Sequence, residues 1–336
     1  KAPINNAGSG ITIETPLTAT EMIGQLPNMK IVKTPTYVKG PEGFRKIEDA
    51  YPNSYGGQAV GVVDIDTKAV SIFRDGVSKS FTVRQPKDMA KDIDRLTGNA
   101  AIFTGGGTLN RRATLVLLGD LQSRVDVGTA SDPDIISSQL IVTDHYDASG
   151  SLKIILSPFR LSCYNQLTVA INSAKSKYTK IHRSSMTDWS KTTKAADFFK
   201  AIDEDFHLFA DICKGLRATT MSDDDMNIFT LKLLNLTDKD VEEWSKNDTN
   251  KHNELMYTIR YGSGIYQTEA AGTAWAAFNG VTEYYDHLVS TRARRDIDRT
   301  EQRFANSIAG GGQVQKQRAW DLLLKEFAPE AALCLS

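Results

Sequence analysis

The sequence predicts an α+β fold: an antiparallel or mixed sheet of hairpins with a packed helix in the N-terminal half, and a helical C-terminal half. Three observations carry that prediction. Apolar residues alternate with polar ones through several stretches between Met29 and Ile171, the period of a half-buried strand. Turn residues such as Asp66-Thr67 and Asp147–Gly150 separate those stretches. After Lys191 the period changes to that of a helix, and strand signals nearly vanish. The chain divides accordingly into a flexible tail (1–13), a β-rich region with one packed helix (14–174), a basic connecting segment (175–194) and a helical region (195–336).

The elements follow in order. Residues 1–13 are rich in Asn, Gly and Ser, and Thr18 with Glu21 three residues on has the spacing of a capping box for a short helix. MKIVKTPTYVKG reads as an edge or bulged strand, because Pro35 cannot donate to a sheet ladder. QAVGVVDIDTKAVSIFRDG reads as a hairpin turning at Asp66-Thr67. In QPKDMAKDIDRLTG, Met89, Ile93 and Leu96 fall on one helical face after Pro86. Gly105–Gly107 lacks the Gly-Lys-Ser/Thr ending of a phosphate loop and precedes a strand-like run, so it predicts a hairpin turn or mobile loop. Two long strands then flank Asp147–Gly150.

Beyond Lys194, Phe198, Ile202, Phe206, Phe209 and Ile212 mark one buried helical face that ends near Gly215, with His207 packed among the phenylalanines. Ser222 precedes three aspartates, an N-cap with acids in the favoured first turn. SKNDTNKHN reads as a polar linker, and the tail as two further helices around a glycine-rich break at Asn306–Gly312.

Composition narrows the function classes. The 336 residues carry a net charge of −1, so nucleic-acid affinity requires a local patch. Cys163, Cys213 and Cys334 form no metal-ligand or disulfide spacing and suit a reducing cytoplasm. No apolar run reaches the roughly 18–20 residues of a membrane span. The five histidines make no paired zinc motif, and the acids at Asp203–Asp205 and Asp223–Asp225 point around a helix, which favours dipole capping and solvation over a metal site. Neither a catalytic group nor a cofactor is called for. Cys163 reads as core, with Asn165 on its strand face and Arg160 on the other.

The segment Lys175–Lys194 stands apart, with five lysines and one arginine against Asp188, a local charge of +5. Lysine and arginine neutralise phosphates, and Tyr178 and Trp189 offer faces for unstacked bases. The expected contacts are Arg111, Arg112, Arg160, Asn165, Lys177, Lys180, His182 and Arg183, with Tyr178 and Trp189 for stacking. The plain alternative is a solvated loop.

PFRLSCYNQL, KIHRSSMT, TAWAAFNGVTEYYDH and RAWDLL together resemble the phage/plasmid-like protein family, a family of unknown function encoded by phages and mobile elements. The resemblance spans about residues 15–327 and rests on Arg160, Cys163, Asn165, His182, Trp275, Asn279, Thr282, Glu283, Tyr284 and His287. Gln166 and the pair Arg183-Ser184 depart from its pattern. It implies phage or plasmid origin without naming an activity. More distantly, a sheet with helices is similar to phage single-strand annealing proteins. These residues lead to the expectation of a cytoplasmic, oligomeric protein that binds or anneals single-stranded DNA as a ring or filament, without bond chemistry. The competing expectation is a host-interaction or anti-defence protein working through protein contacts.

Overall fold

A computed structural model describes residues 10–41, 43–46, 58–77, 81–109, 112–147, 152–160, 193–289, 306 and 310–335. The predicted α+β architecture holds. The strands are β1 (Ile11–Leu17), β2 (Met29–Pro35), β3 (Tyr37–Gly40), β4 (Gly43–Lys46), β5 (Gln58–Asp64), β6 (Val70–Val77), β7 (Phe103–Leu109), β8 (Thr114–Asp126), β9 (Ile135–His145), β10 (Lys153–Leu156) and β11 (Phe159–Arg160). The larger sheet has the order β1-β7-β8-β9-β10, with β11 also on β9, and a smaller one has the order β2-β5-β6. Every pair among the described residues is antiparallel.

Two helices serve the sheets. In α1 (Ala19–Gln25), Thr18 and Glu21 close the expected capping box. The α2 helix (Pro86–Leu96) opens on Pro86 and buries Met89, Ile93 and Leu96. Asp94 of α2 accepts the Ala19 and Thr20 amides at 2.6 and 3.0 Å, so one carboxylate satisfies two orphan N–H groups of α1 and fixes the two helices together. Their core combines Met22, Met89 and Ile93 with Leu115, Leu117, Leu140 and Val142 of the larger sheet and Val60 and Val62 of the smaller one.

The glycine run departs from expectation. Gly105, Gly106 and Gly107 lie inside β7, paired with β1 and β8, and are neither turn nor loop. The reason is close packing: a Cβ on Gly106 would stand 3.1 Å from Leu117 and 3.2 Å from Met22 of α1. Glycine lets the helix settle on the strand. The turn lies a few residues later, where Arg112 adopts a left-handed backbone with φ 71°.

The helical half comprises α3 (Ala195–Ala218), α4 (Asp223–Leu234), α5 (Lys246–Tyr261), α6 (Ala274–Glu283) and α7 (Gly311–Leu322), with π-helical turns Tyr284–Leu288 and Leu323–Phe327 closing α6 and α7. Over its 24 residues, roughly 36 Å, α3 joins both cores. Phe198 and Ile202 pack with the sheets, while Phe206, Phe209 and Ile212 enter the helical core. Three readings of this half change. The α3 helix runs past Gly215 to Ala218, and the glycine serves packing instead, since a Cβ there would lie 2.7 Å from Ala331. His207 is exposed, not packed, and its Nε2 lies 3.6 Å from Asp203. The stretch read as a linker is the start of α5, since Ser245 and Asp248 form a capping box. Asp223–Asp225 occupy the first turn of α4 as expected, whereas Asp203–Asp205 lie mid-helix, with Asp205 buried.

Candidate nucleic-acid interface

Of the residues expected to touch nucleic acid, Arg112 is the one with a described side chain. Its Nη1 lies 2.7 Å from Asp64 Oδ2. Asp64 Oδ1 also accepts the Asp66 and Thr67 amides at 3.0 and 2.9 Å, closing the β5–β6 turn. The Thr67 amide, the Arg112 guanidinium and the Thr67 hydroxyl hold the Asp64 carboxyl far below the ordinary carboxylate range. Arg112 thus ties the β7–β8 turn to the β5–β6 turn. Arg160 ends β11 opposite Ile136, and only its backbone is described. Arg111, Asn165, Lys177, Tyr178, Lys180, His182, Arg183 and Trp189 lie outside the described residues, as does Cys163.

The residues from the TAWAAFNGVTEYYDH motif bind the fold together. The Trp275 indole N–H donates to Asp134 Oδ2 at 2.8 Å. Arg217 also reaches that carboxylate, at 3.4 Å, and pairs with Asp132. Asp132 in turn accepts the Glu269 amide at 2.9 Å, and Ser131 donates to Glu269 at 2.7 Å. This polar chain fastens the β8–β9 connection to the end of α3, the loop before α6, and α6 itself. Asn279 donates to the Trp275 carbonyl, Thr282 to the Phe278 carbonyl, and Glu283 accepts the Ser263 amide at 3.1 Å. Tyr284 meets Glu254, and burial, chiefly, holds its hydroxyl proton well above the ordinary range. In the π-helical turn after α6, Asp286 pairs with Lys316 of α7 at 2.9 Å, both buried. Burial lowers the Lys316 pKa against the opposing pull of Asp286.

The surface next to this motif holds a feature that residue-by-residue reading passed over. Tyr257 and Tyr261 sit on the outer face of α5, and Tyr266 follows in the next turn, 62%, 51% and 56% exposed. Their ring centroids are 5.4 Å and 5.7 Å apart, so the three rings form a continuous row. Beside the middle ring, a shallow cleft of about 280 Å³ is lined by Met221, Asp223, Met226, Arg260, Tyr261 and Gly272. Arg260 donates toward Asp223 at 3.0 Å. The signal was present in the sequence: Tyr257 and Tyr261 stand four apart, opposite Leu255, Met256 and Ile259. The apolar side of α5 is buried in the helical core, while these aromatics lie on its other side.

The chain is thus an α+β protein whose sheet and helical bundle are joined by one polar chain and whose α5 carries an outward aromatic row. The chain belongs to the family described as Domain of unknown function (DUF932), whose pattern matches residues 75–308. No curated protein and no solved structure matches it.

Proposed function

We propose that this chain is a phage- or mobile-element-encoded protein that holds single-stranded DNA, working as an oligomer and without bond chemistry. The observation that carries the reading is the exposed row Tyr257, Tyr261 and Tyr266. Every base has a π-face, so such a row accepts an unstacked strand whatever its sequence, at about 1–3 kcal/mol per stacked base. Duplex DNA hides those faces. The +5 segment Lys175–Lys194 supplies positive charge to a chain whose remainder is acidic. In annealing, the protein keeps bases splayed and the incoming strand pairs by itself.

Fluorescence anisotropy with a single-stranded and a duplex oligonucleotide, each at two salt concentrations, tests this. Salt-sensitive binding that favours the single strand is expected, and replacing Tyr257 and Tyr261 by serine weakens it. Absence of salt-sensitive binding, together with co-purification of a host protein from infected cells, moves the chain to the host-interaction class. Electron micrographs with and without single-stranded DNA show rings or filaments if the oligomeric part holds.

A further inference from the structure

The strands β3 and β4 form a two-stranded sheet of their own, separate from the other two. Pro41 follows β3, and Gly43, at φ 109° in the left-handed region, opens β4. The register pairs Tyr37 with Lys46 and Lys39 with Phe44. Directly opposed residues share a face, and so do residues two apart, so Tyr37, Lys39, Phe44 and Lys46 all lie on one side of the ribbon. That side is open. Phe44 is 74% exposed and Tyr37 52% exposed, while Lys39 and Lys46 are also exposed.

An isolated two-stranded hairpin is marginal in water. One that spends its aromatics on solvent has a use for them elsewhere. Residues 37–46 contain Lys39, Arg45 and Lys46 against Glu42, a basic balance in a chain whose total is −1. Alternating aromatic and ammonium groups on one face of a ribbon fit a polymer with flat rings and regularly spaced anions. An acidic or apolar protein surface would use the charges or the rings, but not their alternation.

We infer that the β3–β4 hairpin is a second nucleic-acid contact: Tyr37 and Phe44 stack on unpaired bases while Lys39 and Lys46 meet the flanking phosphates. This rests on the single-strand reading above. It adds a contact remote in sequence from both the tyrosine row and the basic segment.

The test uses the full chain and a fluorescent oligothymidylate. Three variants are compared with the parent: Tyr37→Ala/Phe44→Ala, Lys39→Gln/Lys46→Gln, and Lys39→Glu/Lys46→Glu. Far-ultraviolet circular dichroism confirms that each is folded, and the glutamine pair keeps the hairpin's shape if the alanine pair does not. The aromatic pair is expected to lose about tenfold or more in affinity. The glutamine pair is expected to lessen the slope of log K against log salt by about 1.4, two contacts at roughly 0.7 each. If the parent binds and all folded variants keep its affinity and slope, the hairpin assignment is overturned and the single-strand reading stands. If the parent does not bind, both fall. If the variants change the sedimenting mass without DNA while binding is unchanged, the hairpin joins copies of the chain instead, which also overturns the assignment.

Discussion

Replacing Lys316 by Met tests how the end of α6 is held. Lys316 is completely buried and Asp286 almost so, with 2.9 Å between Nζ and Oδ1. Methionine fills most of the lysine's volume, so little packing is lost, but the buried Asp286 carboxylate loses the Lys316 ammonium. Breaking such a pair costs about 3–5 kcal/mol. An unfolding entropy of about 2.1 cal/mol/K per residue over this chain gives about 0.7 kcal/mol/K, so the midpoint falls by about 4–7 °C. The double variant Lys316→Met/Asp286→Leu removes both charges and is expected to recover most of that loss, because two desolvation costs disappear with the attraction. Differential scanning calorimetry on the parent, both singles and the double completes the cycle. If the double falls by the sum of the two singles, the pair carries no coupling and the account of Lys316 is wrong.

Alkaline pH gives a related expectation. Burial, chiefly, raises the Tyr284 pKa and pushes that of Tyr285 up to about 12. A raised folded pKa means that stability is intact below the unfolded value near 10 and is lost as pH climbs through 12. Of 11 tyrosines, these two should ionise late, read as phenolate absorbance that lags the rest. Lys316 works in the opposite direction: with its pKa lowered, the unfolded chain binds the extra proton, so stability rises as pH approaches 10.5. Lys316→Met should abolish that rise in a denaturant titration across the same range. Gly280→Ala should destabilise by about 1–3 kcal/mol, since its methyl would meet the Ile259 backbone at 2.5 Å and force α5 from α6. Urea titration reads that loss, and an unchanged midpoint would show that the helices separate freely. Trp275→Phe should cost about 1–3 kcal/mol by leaving a bond to buried Asp134 unmade, and should alter the near-ultraviolet dichroism.

What was legible in the sequence was local. Thr18 and Glu21, Ser222 and the aspartates after it, and Pro86 announce helix starts through contacts three residues long, and each helix begins there. The phenylalanine stripe of α3 likewise follows from one period. What was missed depends on distant partners. Gly106 looks like a turn until Met22 is known to lie above it, and Gly215 looks like a helix stop until Ala331 fills its place. His207 reads as core because its neighbours are aromatic, but the helix turns it outward beside Asp203. SKNDTNKHN is polar throughout, and Ser245 with Asp248 still starts a helix. As for the proposed interface, charge density points to Lys175–Lys194; the spacing of Tyr257 and Tyr261 opposite Leu255, Met256 and Ile259 was there to be read, whereas the ribbon of β3 and β4 declares itself only through exposure.

The polar chain from Ser131 through Asp132, Asp134 and Arg217 to Trp275 has a consequence for taking the protein apart. Val127, just after β8, and Ile136 of β9 sit inside the helical core. A recombinant fragment beginning at Lys194 would therefore expose an apolar socket and strand Arg217 without its two aspartates. It would aggregate instead of behaving as a spare part. Conversely, chains nicked by an engineered protease site ahead of Lys194 should stay together through gel filtration and separate only in denaturant, as a cleaved but intact whole.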